Sequence, residues 1–336
     1  MTAVHLVTRL NAGGIARFLE TGRDAVDLLL RGRAEAPETE ASWPGREAVV
    51  PALRRRVNPA GDARALASLL ALLRRVRPSV LHTHASKAGA LGRVAAKILG
   101  IPCVHTFHGH VLAGTFPAAW SALFRRVERA LARFARLTAT GPATARWLEE
   151  RLGVPVGVVP PGVALPPPSP GARERLRASW GSPERVALAV ARPAAVKELG
   201  RFVEAARGAG YLPVVAGSAR LPGALALGHV EAIQDAYEAC DVVVSSSRSE
   251  GTPYALLEAA WCGRAVVATP VGDVPWIVRG GGVVGEDLRG ALERLRDPEL
   301  RADLGAAGAR DVRARFPASS VAPRLRELYA DVRRGF

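Results

Sequence analysis

Val186-Ala187-Leu188-Ala189-Val190, then the segment Glu198 to Arg207, then Leu212-Pro213-Val214-Val215-Ala216 decide the fold. Each apolar run lacks polar alternation, so it reads as a strand buried on both faces, and the segment between has helical spacing. Strand, helix and strand in succession predict a parallel sheet with helices on both faces. Onward, Asp241-Val242-Val243-Val244 and Ala265-Val266-Val267-Ala268 extend that sheet. Backward, the alternation repeats. Val4 to Thr8 is a strand closed by Asn11-Ala12-Gly13-Gly14, with a helix from Ile15. Arg64 to Arg75 reads as helix, Pro78 to His82 as strand, Lys87 to Leu99 as helix, and Cys103 to Phe107 as strand. Ser121 to Arg136 is a basic amphipathic helix. The dense Pro/Gly stretch, Pro160-Pro161-Gly162 and Pro166 to Gly171, separates the two halves. The expectation is α/β: two Rossmann-like, doubly wound parallel-sheet domains facing a cleft. They cover 1–162 and 173–316, with a linker at 163–172 and a helix at 317–336 packing back towards the first domain. Ligands of such sheets bind at the carboxyl ends of the strands.

The 336 residues are 49% hydrophobic and 23% charged, which fits a soluble two-domain protein and excludes a disordered chain. No apolar run approaches eighteen residues, and the N-terminus lacks a secretory pattern. Cys103, Cys240 and Cys262 are too scattered for a disulfide framework or zinc knuckle, so a cytoplasmic location with reduced thiols is expected. Net charge is +15, and residues 1–160 carry 23 Lys/Arg against 11 Asp/Glu. Such a half invites an anionic surface, lipid or nucleic acid. Arginine supplies 43 of the 46 basic residues, so composition bias explains part of the excess and makes Lys87, Lys97 and Lys197 stand out.

Candidate chemistry concentrates in Ser247 to Ala260. Glu250 and Glu258 are two carboxylates able to accept hydroxyl hydrogen bonds from one polyol. The Gly251-Thr252-Pro253 turn opens a helix whose N–H groups suit a phosphate or sugar oxygen. By spacing alone, a capping acid and a solvated helix residue are the commoner outcome. After the strand ending at Val190, Arg192 and Lys197 place two cations five positions apart in a loop, where a solvated charge is the commoner fate of Arg in this chain. Gly13 and Gly14 permit close backbone approach to a ligand, but there is no G-x-G-x-x-G or P-loop. Five of the seven histidines lie between His82 and His110. They admit a zinc site (His82, His84, His105, His108, His110), which no Cys or flanking carboxylate completes. They also admit packing roles, assigned to His82, His84 and His105, and a functional His108 at a strand end, aided by His110.

Glu250-Gly251-x-Pro253 with Leu256-Leu257-Glu258-Ala259, followed by Cys262 to Thr269 and Val271 to Pro275, resembles the donor site of the retaining glycosyltransferases of family 4, which have the GT-B fold. His82 to Arg93 and His105 to His110 are similar to members that build lipid-linked saccharides. The resemblance implies that Glu250 contacts the sugar hydroxyls and Glu258 the ribose, while Arg192 and Lys197 clamp the diphosphate. His229 and Val230 would contact the base, and Gly13, Gly14, Gly251, Thr252 and Pro253 would approach the donor. His108 would face sugar and acceptor, with Lys87 and His110 on the acceptor side. Glu250, His108, Arg192 and Lys197 form the implied catalytic set. Donor and acceptor would be a UDP- or GDP-sugar and a saccharide, lipid-linked in those members. Hexosyl or N-acetylhexosaminyl transfer without cofactor or metal is expected, since no Asp-x-Asp occurs. Two positions depart from the family pattern: Trp276 follows Pro275 where Glu is usual, and Ala191 replaces Gly.

A nucleotide-sugar epimerase or hydrolase on the same fold is the alternative enzyme. A nonspecific nucleic-acid-binding protein is the contrasting class, opposed by 5% aromatic content and the lack of an aromatic-interleaved basic run, so no specific nucleic acid is expected. Leu123, Phe124, Val127, Leu131 and Phe134 share one side of the basic helix, next to the apolar stretch Val111 to Trp120. That stripe fits the domain core or an anionic leaflet equally well, and the charge excess favours peripheral contact with the inner face of the plasma membrane.

Overall fold

The computed structural model describes residues 2–33, 40–109, 118–217 and 220–335. Two compact units emerge, one of Met1–Gly162 with Ala318–Phe336, the other of Val163–Pro317. In the first, described strands β1 (Ala3–Val7), β2 (Leu28–Arg31), β3 (Glu47–Val49), β4 (Val80–His84), β5 (Cys103–Phe107), β6 (Arg136–Ala139) and β7 (Val156–Val158) are all parallel. Their order is β3-β2-β1-β4-β5-β6-β7. In the second, β8 (Val186–Val190), β9 (Leu212–Ala216), β10 (Leu225–Gly228), β11 (Val242–Ser245), β12 (Ala265–Ala268) and β13 (Gly282–Val284) are parallel in the order β10-β9-β8-β11-β12-β13.

Both sheets are doubly wound. The order reverses between β1 and β4 and between β8 and β11, which opens a crevice at the carboxyl ends of those strands. The unalternating apolar runs have a direct cause in the second unit. Val186 and Leu188 of β8 join one core, with Leu257 and Phe316, while Ala187 and Ala189 join another, with Phe202 and Leu292. Successive side chains of a strand point to opposite faces, so a sheet covered on both sides needs apolar residues throughout.

The segment expected as a linker, 163–172, is packed into the second unit. Val163 is buried and its N–H bonds to the carbonyl of Phe316 (2.8 Å), and the N–H of Ser169 donates to Asp235 (2.7 Å). The terminal helix Val321–Arg334 buries Val321, Ala322, Leu325 and Tyr329 and belongs to the first unit.

The amphipathic helix runs Ala118–Ala132, and its apolar stripe divides between two environments. Leu131 is buried and Phe124 packs on the core, while Trp120, Leu123 and Val127 are exposed. Phe134 lies beyond the helix, under the ammonium of Lys97. An acid decides the helix's rotation. Glu128 is buried and pairs with the fully buried Arg93 of the helix Ser86–Leu99 at 2.6 Å, and turning it outward would strand that guanidinium. The expected stretch Val111 to Pro117 lies outside the described residues. None of the described helices is long and apolar enough to cross a membrane.

Candidate active site

In the second unit the crevice between β8 and β11 brings the loops of Lys197 and Glu250 together. Beyond β8 the chain enters the short turn Ala195–Lys197, and beyond β11 it enters Ser246 to Pro253. The Ser246 hydroxyl donates to the carbonyls of Lys197 (2.8 Å) and Glu198 (3.0 Å), and the Arg248 N–H donates to the carbonyl of Val196 (2.8 Å). These bonds join the two loops. Lys197 Nζ then reaches Glu250 Oε1 at 2.6 Å, and the Ser247 hydroxyl donates to the same oxygen at 2.6 Å. Glu250 Oε2 has no partner among the described residues and so keeps its capacity to accept a ligand hydroxyl.

Behind that loop, Gly272 is indispensable. At φ +54° it lies so close that an added Cβ would stand 2.0 Å from the carbonyl oxygen of Glu250. The Asp273 N–H donates to the carbonyl of Gly251 (3.1 Å), and the Thr252 hydroxyl to Asp273 (3.4 Å). Pro253 caps the helix Tyr254–Trp261, on which Glu258 is buried and accepts from the Tyr237 hydroxyl (3.1 Å). Arg192 is exposed, with no partner among the described residues. His229 is exposed after β10, while Val230 packs against the core. Trp276 packs edge-on against Phe316 and lies under the guanidinium of Arg315.

In the first unit, Gly13 caps the helix Gly14–Thr21 with φ 154°, and a Cβ there would meet nothing within 4 Å, which leaves room for a ligand. Lys87 is paired with Asp62 (2.6 Å) and also donates to the Arg56 carbonyl. His110 lies outside the described residues. His108 is half-buried under the edge of Phe18, and its Nε2 contacts His84 Nδ1 at 2.9 Å. Burial pushes its pKa down to about 3 and drives those of His82, His84 and His105 well below the usual value.

His105 turns away from this group towards the hydroxyl and carbonyl of Thr83. The sequence reading missed His5 and Tyr329, which complete it. His5 faces His82 in register between β1 and β4, and Tyr329 touches both rings. A histidine inside the apolar run Val4 to Val7 was the available signal. Nitrogens of His5, His82 and His84 lie within 4.8 Å of one another, near enough to share a divalent ion, although all six ring nitrogens are engaged in hydrogen bonds.

Two family models match the chain: Glycosyltransferase Family 4 at residues 13–165 and Glycosyl transferases group 1 at residues 189–303. A D-inositol 3-phosphate glycosyltransferase of Xylanimonas cellulosilytica is 30% identical over 308 residues, covering 75% of this chain and 71% of that protein. The UDP-Gal:alpha-D-GlcNAc-diphosphoundecaprenol alpha-1,3-galactosyltransferase of Escherichia coli is 39% identical over 80 residues, 24% of this chain and 21% of that enzyme. Among the inositol phosphate enzymes the span is uneven, and the chain matches 61% of another one's length. Sucrose-phosphate synthase from Thermosynechococcus elongatus superposes with a TM-score of 0.84 over 100% of both chains at 18% identity, a likeness of fold alone.

Proposed function

Because the chain belongs to glycosyltransferase family 4 and has the GT-B fold, we propose that it is a retaining glycosyltransferase using a nucleotide-diphosphate sugar. The observation that carries this reading is the Lys197–Glu250 contact at the β8/β11 crevice, where a cation and a carboxylate with a spare oxygen adjoin. In the proposed reaction the bond from the anomeric carbon to the diphosphate breaks, and the acceptor oxygen bonds on the face just vacated. The acceptor's proton passes to the departing phosphate. Lys197 and Arg192 offset the growing negative charge, and Glu250 holds sugar hydroxyls. A hexosyl or N-acetylhexosaminyl donor carried by UDP or GDP fits this site reading, with no further cofactor. A panel of nucleotide sugars, read by thermal shift and by product analysis with and without acceptor, tests it. Stabilisation by a UDP- or GDP-sugar and acceptor-dependent product are expected, whereas epimerised or hydrolysed donor alone would favour the alternative enzyme.

Transfer is proposed to need no divalent ion, on the ground that the chain has no Asp-x-Asp. Full rate in excess EDTA is expected, and loss restored by one cation would overturn this.

A lipid-linked saccharide acceptor is proposed from the partial match to the Escherichia coli enzyme. Trp120, Leu123 and Val127 recur at i, i+3 and i+7 on one exposed stripe of their helix, with exposed Arg126 and Arg129 on the same element and exposed Arg133 just beyond its end. Such a face suits an anionic leaflet, where each basic residue contributes about 1 kcal/mol. Anionic liposomes should retain the protein at low salt, neutral ones should not, and Trp120→Ala with Leu123→Ala should abolish retention. Equal recovery with both liposome types would point to a soluble acceptor.

A further inference from the structure

The first unit contains a continuous line of hydrogen bonds that runs through the sheet to His108. Thr138 Oγ1 contacts Thr106 Oγ1 (2.6 Å), which contacts His82 Nε2 (2.6 Å). His82 Nδ1 meets the Tyr329 hydroxyl (2.7 Å), which meets His5 Nε2 (2.7 Å). His5 Nδ1 contacts His84 Nε2 (3.0 Å), and His84 Nδ1 contacts His108 Nε2 (2.9 Å). Seven groups therefore share six links, and each neutral group owns one proton to donate. Burial lowers all four imidazole pKa values and raises that of Tyr329 well above its usual value, so the line is neutral.

Proton counting leaves two complete arrangements. A link with two protons clashes and one with none is empty, so every donor must point the same way along the line. If all point away from His108, all four histidines carry their proton on Nε2. If all point towards it, all four carry it on Nδ1. The far end discriminates between them. Thr138 Oγ1 lies 3.4 Å from the carbonyl of His105, which can only accept. At the near end His108 is half-buried, so its Nδ1 can take either arrangement against solvent, and the far end alone decides.

We propose that Tyr329, carried on the C-terminal helix, is a positioning residue that fixes His108 as the Nε2–H tautomer through His5 and His84, presenting Nδ1 as an acceptor for a saccharide hydroxyl. The presentation to a saccharide rests on the functional reading above, whereas the tautomer does not. Tyr329 is the one group that bridges the two halves of the line. Without its hydroxyl, the segment His5–His84–His108 loses its directional constraint, and both tautomers become available to His108. The C-terminal helix thus acts on a site residue three hydrogen bonds away.

The test is imidazole 15N NMR on the full chain labelled with 15N-histidine, without substrate. In the wild type His5, His82, His84 and His108 should all show the Nε2–H pattern, unchanged between pH 5 and 8. Tyr329→Phe should bring His108 to averaged, mixed-tautomer shifts and lower kcat/KM for transfer about tenfold, with less effect on binding of a nucleoside diphosphate. An Nδ1–H pattern at any of the four wild-type histidines overturns the proposal, and that measurement requires no variant to fold. Unmoved His108 shifts in folded Tyr329→Phe overturn it too, as does uptake of one equivalent of Zn2+ by these nitrogens. The tautomers are read without donor or acceptor, so failure of glycosyl transfer leaves the spectroscopic result standing.

Discussion

Lys197→Ala loses about 10²-fold in kcat/KM with a nucleotide-diphosphate sugar, the scale for removing one preorganised group that stabilises developing charge. Two effects combine. The departing diphosphate loses a cation, and Glu250 loses the ammonium that sits 2.6 Å from its Oε1 and keeps only the Ser247 hydroxyl. Lys197→Arg recovers part of the rate, because charge returns while the planar guanidinium fits a compact ammonium's place poorly. The Lys197 side chain is a quarter exposed, so stability changes by about 1 kcal/mol or less. Steady-state kinetics beside a melting curve separates the two effects. Unchanged kcat/KM in folded Lys197→Ala would remove this lysine from the chemistry.

Glu128→Ala destabilises the first unit by about 3 kcal/mol or more, the usual cost of stranding one partner of a buried ion pair. Arg93 is fully buried, its Nε is bonded to the Gly89 carbonyl, and its Nη1 has no partner, so the carboxylate supplies the compensation for its charge. In a unit of about 180 residues such a loss lowers Tm by roughly 6–12 °C. Arg93→Met added to Glu128→Ala should restore most of it, since two apolar residues need no compensation. Calorimetry of the single and double variants checks this. A shift under about 2 °C in Glu128→Ala would mean that the helix does not bury this pair.

Residues expected from sequence and found in strands include Cys103–Phe107, Val186–Val190, Leu212–Ala216 and Ala265–Ala268, at their observed bounds. A strand covered on both faces must be apolar throughout, so composition alone reveals it. β4 runs two residues later than expected, and the interior strands β2 and β6 went unread along with the edge strands β3, β7, β10 and β13. Edge strands here are three or four residues long, and a neighbour's backbone defines them more than their own side chains do. Glu250 and Lys197 were legible as candidates from the motifs around them, yet their contact spans 53 positions and arises where the strand order reverses.

The sequence by itself therefore determined the doubly wound character of both sheets and the candidate donor residues, because burial period and local motif are written in neighbouring positions. Tertiary structure alone decided the rest. It packed 163–172 into the second unit, rotated the basic helix so that Glu128 meets Arg93, and brought Tyr329 to His5 across 324 positions. A lone histidine in an apolar strand and a tyrosine on a surface helix each look like ordinary packing residues. Their hydrogen-bonding roles exist only once folding removes water and leaves their polar atoms to find partners in one another.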